Sequence, residues 1–249
     1  IMTTLEELGL LKMDFLGLRN LTILNDAVEM VRRSEPDFTL KDIPEGDRET
    51  YKMLSSGMTS GVFQLESSGM TGVCVSLKPQ NIEDITALIA LYRPGPMESI
   101  PRFIACKQDP AKVTYKHPLL EPILSVTYGC IVYQEQVIDI FRHLAGYSLG
   151  QADMIRRAMS KKKAKDVERE RQFFIYGDPE RGIAGCVKNG VSVEAAQSIY
   201  DEIYDFANYA FNKAHAAAYA VVAYQTAWFK CHHPREYMAA LLTSVLDSS

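Results

Sequence analysis

Three helical segments follow one another closely in the last third of this sequence, and they constrain the fold more than any other feature. Their predicted bounds are 192–207, 213–231 and 234–246. Pro234 ends one helix and can begin the next, because proline fits the first turn of a helix but not its interior. Helical periodicity also predicts helices over 18–33 and 81–92. The pattern favours a mainly α, multi-helical fold.

Strand signals are few and short. Residues 10–15 are apolar around a central charged pair and predict a strand edge, and residues 131–133 predict a second minor strand. Glycines and prolines predict a loop over 177–190.

Composition narrows the classes of function. Hydrophobic residues make up 47% of the 249, so a sizeable packed core is expected. The net charge is −4, whereas a compact nucleic-acid-binding domain is usually basic, so any phosphate-binding surface must be a local patch. Five cysteines without a CxxC pair predict reduced thiols and a cytoplasmic location. No segment predicts a signal peptide or a membrane span.

The densest charge in the sequence is a basic run on a predicted helix. Five cations occur within eight residues: Arg156, Arg157, Lys161, Lys162 and Lys163. Arg157 and Lys161 are four residues apart and share a helix face, which Met154, Ile155, Ala158 and Met159 would attach to the core. The alternative is a solvated helix whose charge Asp166, Glu168 and Glu170 balance. Because the cations are so closely spaced, the sequence favours phosphate binding over this alternative.

Lys12 and Asp14 would lie on the same face of the predicted N-terminal strand, because alternate side chains of a strand share a face. A carboxylate there can hold a divalent metal, and a neighbouring lysine can bind a phosphate. These two residues alone favour an exposed ion pair.

Other candidates are more ambiguous. Arg93 lies in a stiff Pro-Gly-Pro loop that could present it to a phosphate, with a solvated helix end as an equal alternative. Lys213 and His215 begin a helix that Asn212 can cap, where the helix dipole favours anions. An alanine-rich core helix with an internally satisfied histidine is the more common explanation. Residues 61–67 predict a turn into a helix, and residues 128–136 a turn capped by Gln134.

Six of these segments, in this order and spacing, resemble one family. It is the alpha subunit of bacterial DNA polymerase III, a C-family replicative polymerase, and the resemblance covers nearly the whole chain. The motifs are KMDFLGLRNLTIL from Lys12, GVFQLESSGM from Gly61, ALYRPGPM from Ala90, TYGCIVYQEQV from Thr127, LGQADMIRRAMSKKK from Leu149 and FNKAHAAAYAVVAYQTAW from Phe211.

The resemblance implies a division into two parts. Residues 1–17 would form an edge strand of the palm, and residues 18–249 the helical fingers. Asp14 matches the third of three aspartates that hold two Mg²⁺ ions in the family. Because the Asp-x-Asp pair that supplies the other two is absent here, the sequence is expected to be a piece of the polymerase that is inactive alone.

The resemblance also assigns substrate contacts. Lys12, Arg156 and Arg157 would bind the triphosphate of the incoming dNTP. Arg93, Lys161, Lys162 and Lys163 are weaker candidates for phosphate or template contacts, and Lys213 and His215 would lie near the nascent base pair. Primer-template DNA and dNTP are the implied partners, with other replicase subunits bound through regions outside this sequence.

A different class of function stays open, namely a non-catalytic helical module that binds DNA or a partner protein. An Asp-x-Asp pair upstream in the full reading frame would distinguish the polymerase from this alternative.

Overall fold

The computed structural model describes residues 4–5, 8–11, 13, 15–160, 164–206 and 209–246. Within these residues the fold is multi-helical, as predicted, and contains no sheet. We number the α-helices α1 to α12 in chain order. Their bounds are Arg19–Val31, Arg48–Ser55, Ser68–Leu77, Ile82–Leu91, Ile100–Gln108, Glu121–Leu124, Gln134–Ala145, Leu149–Ser160, Ala164–Tyr176, Val193–Phe206, Lys213–His232 and Pro234–Leu246.

The buried side chains form two hydrophobic clusters. The first core joins α1 to α5 with α11 and α12, and the second core joins α6 to α10. Residues 130–133 contribute to both, since Cys130 and Val132 belong to the first core and Ile131 to the second. This segment therefore connects the two halves of the structure.

Helix α11 is the centre of the first core. Its buried face carries Ala216, Ala220, Ala223 and Ala227, whose small side chains let it pack closely on α4. Asn212 caps its start, with Oδ1 accepting from the backbone N–H of His215 at 2.8 Å. This cap was predicted from the sequence. Helix α12 follows directly from Pro234 and packs on α1.

The turn over residues 58–67 is attached to α11 and α12 by polar contacts. The Tyr237 hydroxyl donates to the Gly61 carbonyl at 2.6 Å, and the Phe63 N–H donates to Thr226 Oγ1 at 3.1 Å. Lys230 Nζ donates to the carbonyls of Met58 and Ser60. As predicted, this turn leads into a helix, and Ser67 caps it.

The predicted strands do not form in the described residues. Leu10, Leu11, Met13 and Phe15 are exposed and belong to no strand. A single strand has no stability without a partner to satisfy its backbone hydrogen bonds. Residues 131–133 form only an isolated bridge, between Tyr133 and Phe211. None of the helices in the described ranges is both long and apolar enough to cross a membrane.

The loop over 177–190 is more ordered than its composition suggests. Asp178 and Ile183 exchange two backbone hydrogen bonds, at 2.9 and 2.8 Å, and form a tight antiparallel turn. Gly177 and Gly185 both have positive φ, and a Cβ on either would collide with the backbone of the other side of the turn. The glycines therefore permit this close approach.

A buried ion pair connects α4 to α5. Lys107 Nζ lies 3.1 Å from Asp84 Oδ2, and their side chains are only 9% and 2% exposed. Lys107 also donates to the carbonyl of Lys78, while Asp84 accepts from the N–H of Gln80. The pair is satisfied as a unit, so removing one partner leaves the other charge buried and uncompensated.

We therefore expect Lys107→Met to lower the free energy of unfolding by about 3–5 kcal/mol. Lys112→Met is the matched control, because Lys112 forms an exposed pair with Asp109 at 3.8 Å. It should cost less than about 1 kcal/mol. Urea unfolding followed by circular dichroism measures both. Equal effects would show that the buried pair contributes no more than the exposed one.

Candidate functional site

A cavity of about 520 Å³ brings together side chains from four of the six sequence motifs. We call it the Arg93 cavity. It is lined by Asn20, Phe63, Gln64, Glu66, Ser67, Met70, Ile89, Tyr92, Arg93, Phe211, His215 and Tyr219. Residues far apart in the sequence, from Asn20 to Tyr219, therefore line one cavity. The Arg93 cation and several aromatic rings face it.

Arg93 is held firmly at this cavity. Its Nη2 donates to the Tyr209 carbonyl at 2.7 Å, and its Nε donates to the Ala90 carbonyl at 3.1 Å. The guanidinium carbon lies 4.1 Å from the centroid of the Phe211 ring, a cation–π contact. Partial burial lowers the pKa of Arg93 from its usual value. Arg93 therefore connects the end of α4 to the segment before α11 while facing the cavity.

Aromatic rings form a continuous row beside Arg93. The His215 ring lies 4.3 Å from the Tyr219 ring and 5.3 Å from the Phe211 ring, and Tyr219 lies 5.2 Å from Phe63. His215 is exposed. The expectation that His215 is satisfied inside the core is therefore wrong, because α11 directs this position to the cavity and not to α4.

Gln64 has an unusual backbone conformation. Its φ is +63°, in the left-handed region that non-glycine residues rarely adopt, and its side chain is exposed at the cavity. Such a conformation costs free energy and persists only where neighbours hold it. Its neighbours Gly61 and Phe63 are bonded to α12 and α11, as described above, so the turn is held in place from both sides.

A protein carboxylate occupies the N-terminus of α11. The Lys213 N–H donates to Glu135 Oε1 and Oε2 at 3.1 and 3.0 Å, and Asn212 Nδ2 donates to Oε1 at 3.0 Å. Lys213 Nζ lies 3.4 Å from Glu83 Oε2. The N-terminus of α11, which was expected to attract an anion, therefore already binds the Glu135 carboxylate.

The turn before α7 is stabilised by a different glutamine from the one predicted. Gln136 Oε1 accepts from the N–H groups of Val132 and Tyr133 at 2.8 and 2.9 Å. Gln134 instead donates to the Ala210 carbonyl at 2.9 Å. Gln136 is the third residue of the helix and is buried, which lets its amide reach back to the helix start.

The basic run begins with two arginines that share one carboxylate. Arg156 Nη2 lies 2.9 Å from Asp153 Oδ1, and Arg157 Nη2 lies 2.8 Å from Asp153 Oδ2. The Arg156 side chain is 15% exposed and that of Arg157 70%. Neither arginine lines the Arg93 cavity.

The helix that carries these arginines is anchored as predicted by Ile155 and Met159, which are buried in the second core. Met154 and Ala158 are exposed, so the prediction that they face the core is wrong. Glu170 does not balance the basic run either. Its carboxylate is buried, where it accepts from the Tyr147 hydroxyl at 2.8 Å and from Arg181 at 3.0 Å.

Five further candidates from the sequence lie outside the described residues, namely Lys12, Asp14, Lys161, Lys162 and Lys163.

Comparison with known proteins identifies the class of domain. Residues 20–182 match the bacterial DNA polymerase III alpha subunit finger domain. The chain therefore belongs to this family of polymerase finger domains.

Individual relatives agree with this class. The chain is 50% identical over 248 residues to the DNA polymerase III subunit alpha of Bacillus subtilis, covering 99% of this chain and 22% of that protein. Identity to the subunit of Halalkalibacterium halodurans is 49% over 245 residues, covering 98% and 21%. For Thermus aquaticus it is 48% over 248 residues, covering 97% and 20%. The chain thus spans about a fifth of the length of these relatives.

Gly95 fixes the loop that carries Arg93. Its φ is +102°, and a Cβ at this position would overlap the ring of Tyr209. The Tyr209 carbonyl is also the acceptor for Arg93. The shape of this loop and the orientation of Arg93 therefore both depend on a residue without a side chain.

We expect Gly95→Ala to lower the free energy of unfolding by about 1–3 kcal/mol, because it adds backbone strain and displaces Tyr209. Gly46→Ala is the matched control, since a Cβ there meets nothing within 4 Å and its φ is not in the left-handed region. Thermal and urea unfolding of the two variants measure the difference. A Gly95→Ala protein as stable as the control would contradict the packing argument.

Proposed function

We propose that this chain forms the fingers of a DNA-directed DNA polymerase and binds the triphosphate of the incoming dNTP during two-metal nucleotidyl transfer. The observation that carries the proposal is the pair of arginines on α8, held by Asp153 in a chain of the polymerase finger-domain family. Primer-template DNA and dNTP would be its substrates, and other replicase subunits would bind elsewhere on the longer polypeptide.

The arginines suit a compact polyanion. A guanidinium presents a planar set of N–H donors that matches phosphate oxygens, and two on adjacent residues can contact one triphosphate. Asp153 restricts both side chains to one region before substrate arrives, which lowers the entropy lost on binding. A triphosphate concentrates more charge than one carboxylate, so it can share or replace these contacts.

The arrangement depends on an ionised Asp153. The pKa of Asp153 is lowered, chiefly by its hydrogen bond from Arg156 and further by Arg157. A lowered pKa means that the paired, ionised form prevails at neutral pH and is lost only when the pH falls through that lowered value. The two arginines are therefore held in this way throughout the pH range in which a polymerase would work.

Asp14 and Lys12 would complete the triphosphate site from the palm edge. A carboxylate oxygen is the ligand that Mg²⁺ prefers, so Asp14 fits one position of a two-metal site whose other carboxylates would lie upstream. When bound, the metal ions would stabilise charge on the attacking and leaving oxygens. Lys12 would hold a phosphate oxygen beside them.

The Arg93 cavity would contact the template or the nascent base pair. Bases stack on aromatic rings, and arginine adds a cation–π and a phosphate contact. Here the rings of His215, Tyr219 and Phe211 lie next to Arg93. Lys161, Lys162, Lys163 and Lys213 are further candidates for phosphate contacts.

In the intact polymerase, Arg156→Ala and Arg157→Ala should each lower kcat/KM for dNTP more than they weaken primer-template binding. Losing one charged hydrogen-bond contact costs roughly 1.5–3 kcal/mol, which corresponds to about a tenfold to hundredfold loss. DNA spreads its charge over many phosphates, so one lost contact mainly reduces the salt dependence of its Kd. Steady-state kinetics and a salt series of binding titrations measure the two effects.

Arg142→Ala is the matched control, because Arg142 also pairs within its own helix, with Asp139 at 3.1 Å, but lies on α7. It should leave both quantities unchanged. Normal dNTP kinetics with weakened DNA binding in the α8 variants would instead assign this helix to the DNA backbone.

Asp14→Asn in the intact polymerase should abolish primer extension while the protein stays folded, because it keeps the shape of the side chain and removes the charge that holds the metal. For the same reason the 249-residue chain alone should not extend a primer, since one carboxylate cannot assemble a two-metal site. Near-normal extension by the variant, or extension by the chain above a heat-inactivated control, would refute the assignment of Asp14.

A further inference from the structure

Three side chains of different chemistry meet at the C-terminal end of α11, whose N-terminal half contributes His215 and Tyr219 to the Arg93 cavity. Asp47, Cys231 and His232 each offer one donor atom, and these atoms all lie within 4.8 Å of one another. Asp47 and Cys231 are half-buried and His232 is exposed. One side of the group therefore packs against the protein, and the other side faces solvent.

The fold brings these residues together from two helix ends. Asp47 is the N-cap of α2, and its Oδ2 accepts from the Thr50 N–H at 2.9 Å. Cys231 and His232 are the last two residues of α11, which packs on α2. His232 Nε2 lies 2.7 Å from Asp47 Oδ2, and the His232 ring lies 5.0 Å from that of Trp228. The position of each donor is thus set by secondary structure.

We propose that Asp47, Cys231 and His232 form a binding site for a divalent transition-metal ion, with Zn²⁺ as the best chemical match. A thiolate, an imidazole and a carboxylate are the three side-chain types that bind Zn²⁺ in proteins, whereas Mg²⁺ and Ca²⁺ take oxygen ligands. Three protein ligands leave the fourth tetrahedral position to water, and the exposed side at His232 gives access to it.

The geometry requires only a small adjustment. Ligands on a tetrahedral zinc ion lie roughly 3.3–3.8 Å apart, given metal–ligand distances of about 2.0–2.3 Å. The described spread of up to 4.8 Å must contract slightly, while the 2.7 Å contact of His232 with Asp47 must open. Rotation of the exposed His232 side chain about its own bonds can supply that movement. The Asp47 contacts with Thr50 can persist, since a carboxylate has two oxygens.

Metal binding at this group would balance in bonds and protons. The Cys231 S–H bond would break, the proton would leave to solvent, and a sulfur–metal bond would form in its place. His232 would bind through the Nε2 lone pair once its contact with Asp47 opens, with the ring proton on Nδ1.

Cobalt(II), the spectroscopic substitute for zinc, tests the site in the purified 249-residue chain. Titration should produce a thiolate-to-cobalt charge-transfer band that saturates at one ion per chain and disappears when Zn²⁺ is added. Cys231→Ser should lose the band, and His232→Gln should weaken cobalt binding at least tenfold. His143→Gln is the matched control, because it removes an exposed histidine from α7 and should change neither.

A second measurement needs no variant. The other four cysteines are buried, so Cys231 should be the thiol that iodoacetamide modifies first in the folded chain. Stoichiometric Zn²⁺ should slow that modification, as mass spectrometry of the peptides would show. The proposal is overturned if the folded chain gives no saturable cobalt band, if Cys231→Ser keeps the band, or if Zn²⁺ leaves the alkylation rate of Cys231 unchanged.

Discussion

The burial of α11 is the constraint on which the rest of the structure depends. An all-helical fold has no sheet to organise it, so its core must be built around a helix that other helices can approach closely. The alanines spaced along one face of α11 provide this, and α4 packs against them with nearly every residue buried. Helix α12 then packs on both α11 and α1.

Apart from the arginines of α8, the candidate functional features lie at the two ends and along the length of this same helix. At its start, Glu135 and Asn212 fix the backbone of residues 212–215, which positions the ring of His215 at the Arg93 cavity. Along its length, Thr226 and Lys230 hold the turn that contains the strained Gln64. At its end, Cys231 and His232 meet Asp47. Rigid burial of one face therefore determines the geometry of side chains on the others.

Local signals in the sequence were sufficient for the helices. Asn81 and Asn212 cap the helices predicted over 81–92 and 213–231, because a side-chain acceptor for the first free N–H groups is a local requirement. The strands failed for the opposite reason: a strand requires a partner elsewhere in the chain, and residues 131–133 find only a single bridge. The prediction that Met154 faces the core was wrong, because helical spacing shows which side chains share a face but not which face a neighbouring element covers.

The composition of the Arg93 cavity could not have been predicted without a fold. Arg93 donates to the carbonyl of Tyr209, 116 residues away, and no local pattern specifies such a contact. The six motifs identified the family, and four of them meet in one cavity. A motif does not show which residues its side chains contact. The sequence places Gln134 and Gln136 in the same turn, and only the fold shows that Gln136 caps the helix.

In this acidic chain, several of the candidate cations are already paired with other groups of the protein. Arg156 and Arg157 share Asp153, Lys213 lies beside Glu83, and Arg93 is bonded to two carbonyls. An anion that approaches these groups must compete with partners already in place, so isolated charges gain little from the exchange. A ligand that carries several charges in a small volume gains more, since it can contact two guanidinium groups together. In the proposed function, internal pairing of this kind would therefore favour a triphosphate over a single phosphate and disfavour non-specific binding of dilute anions.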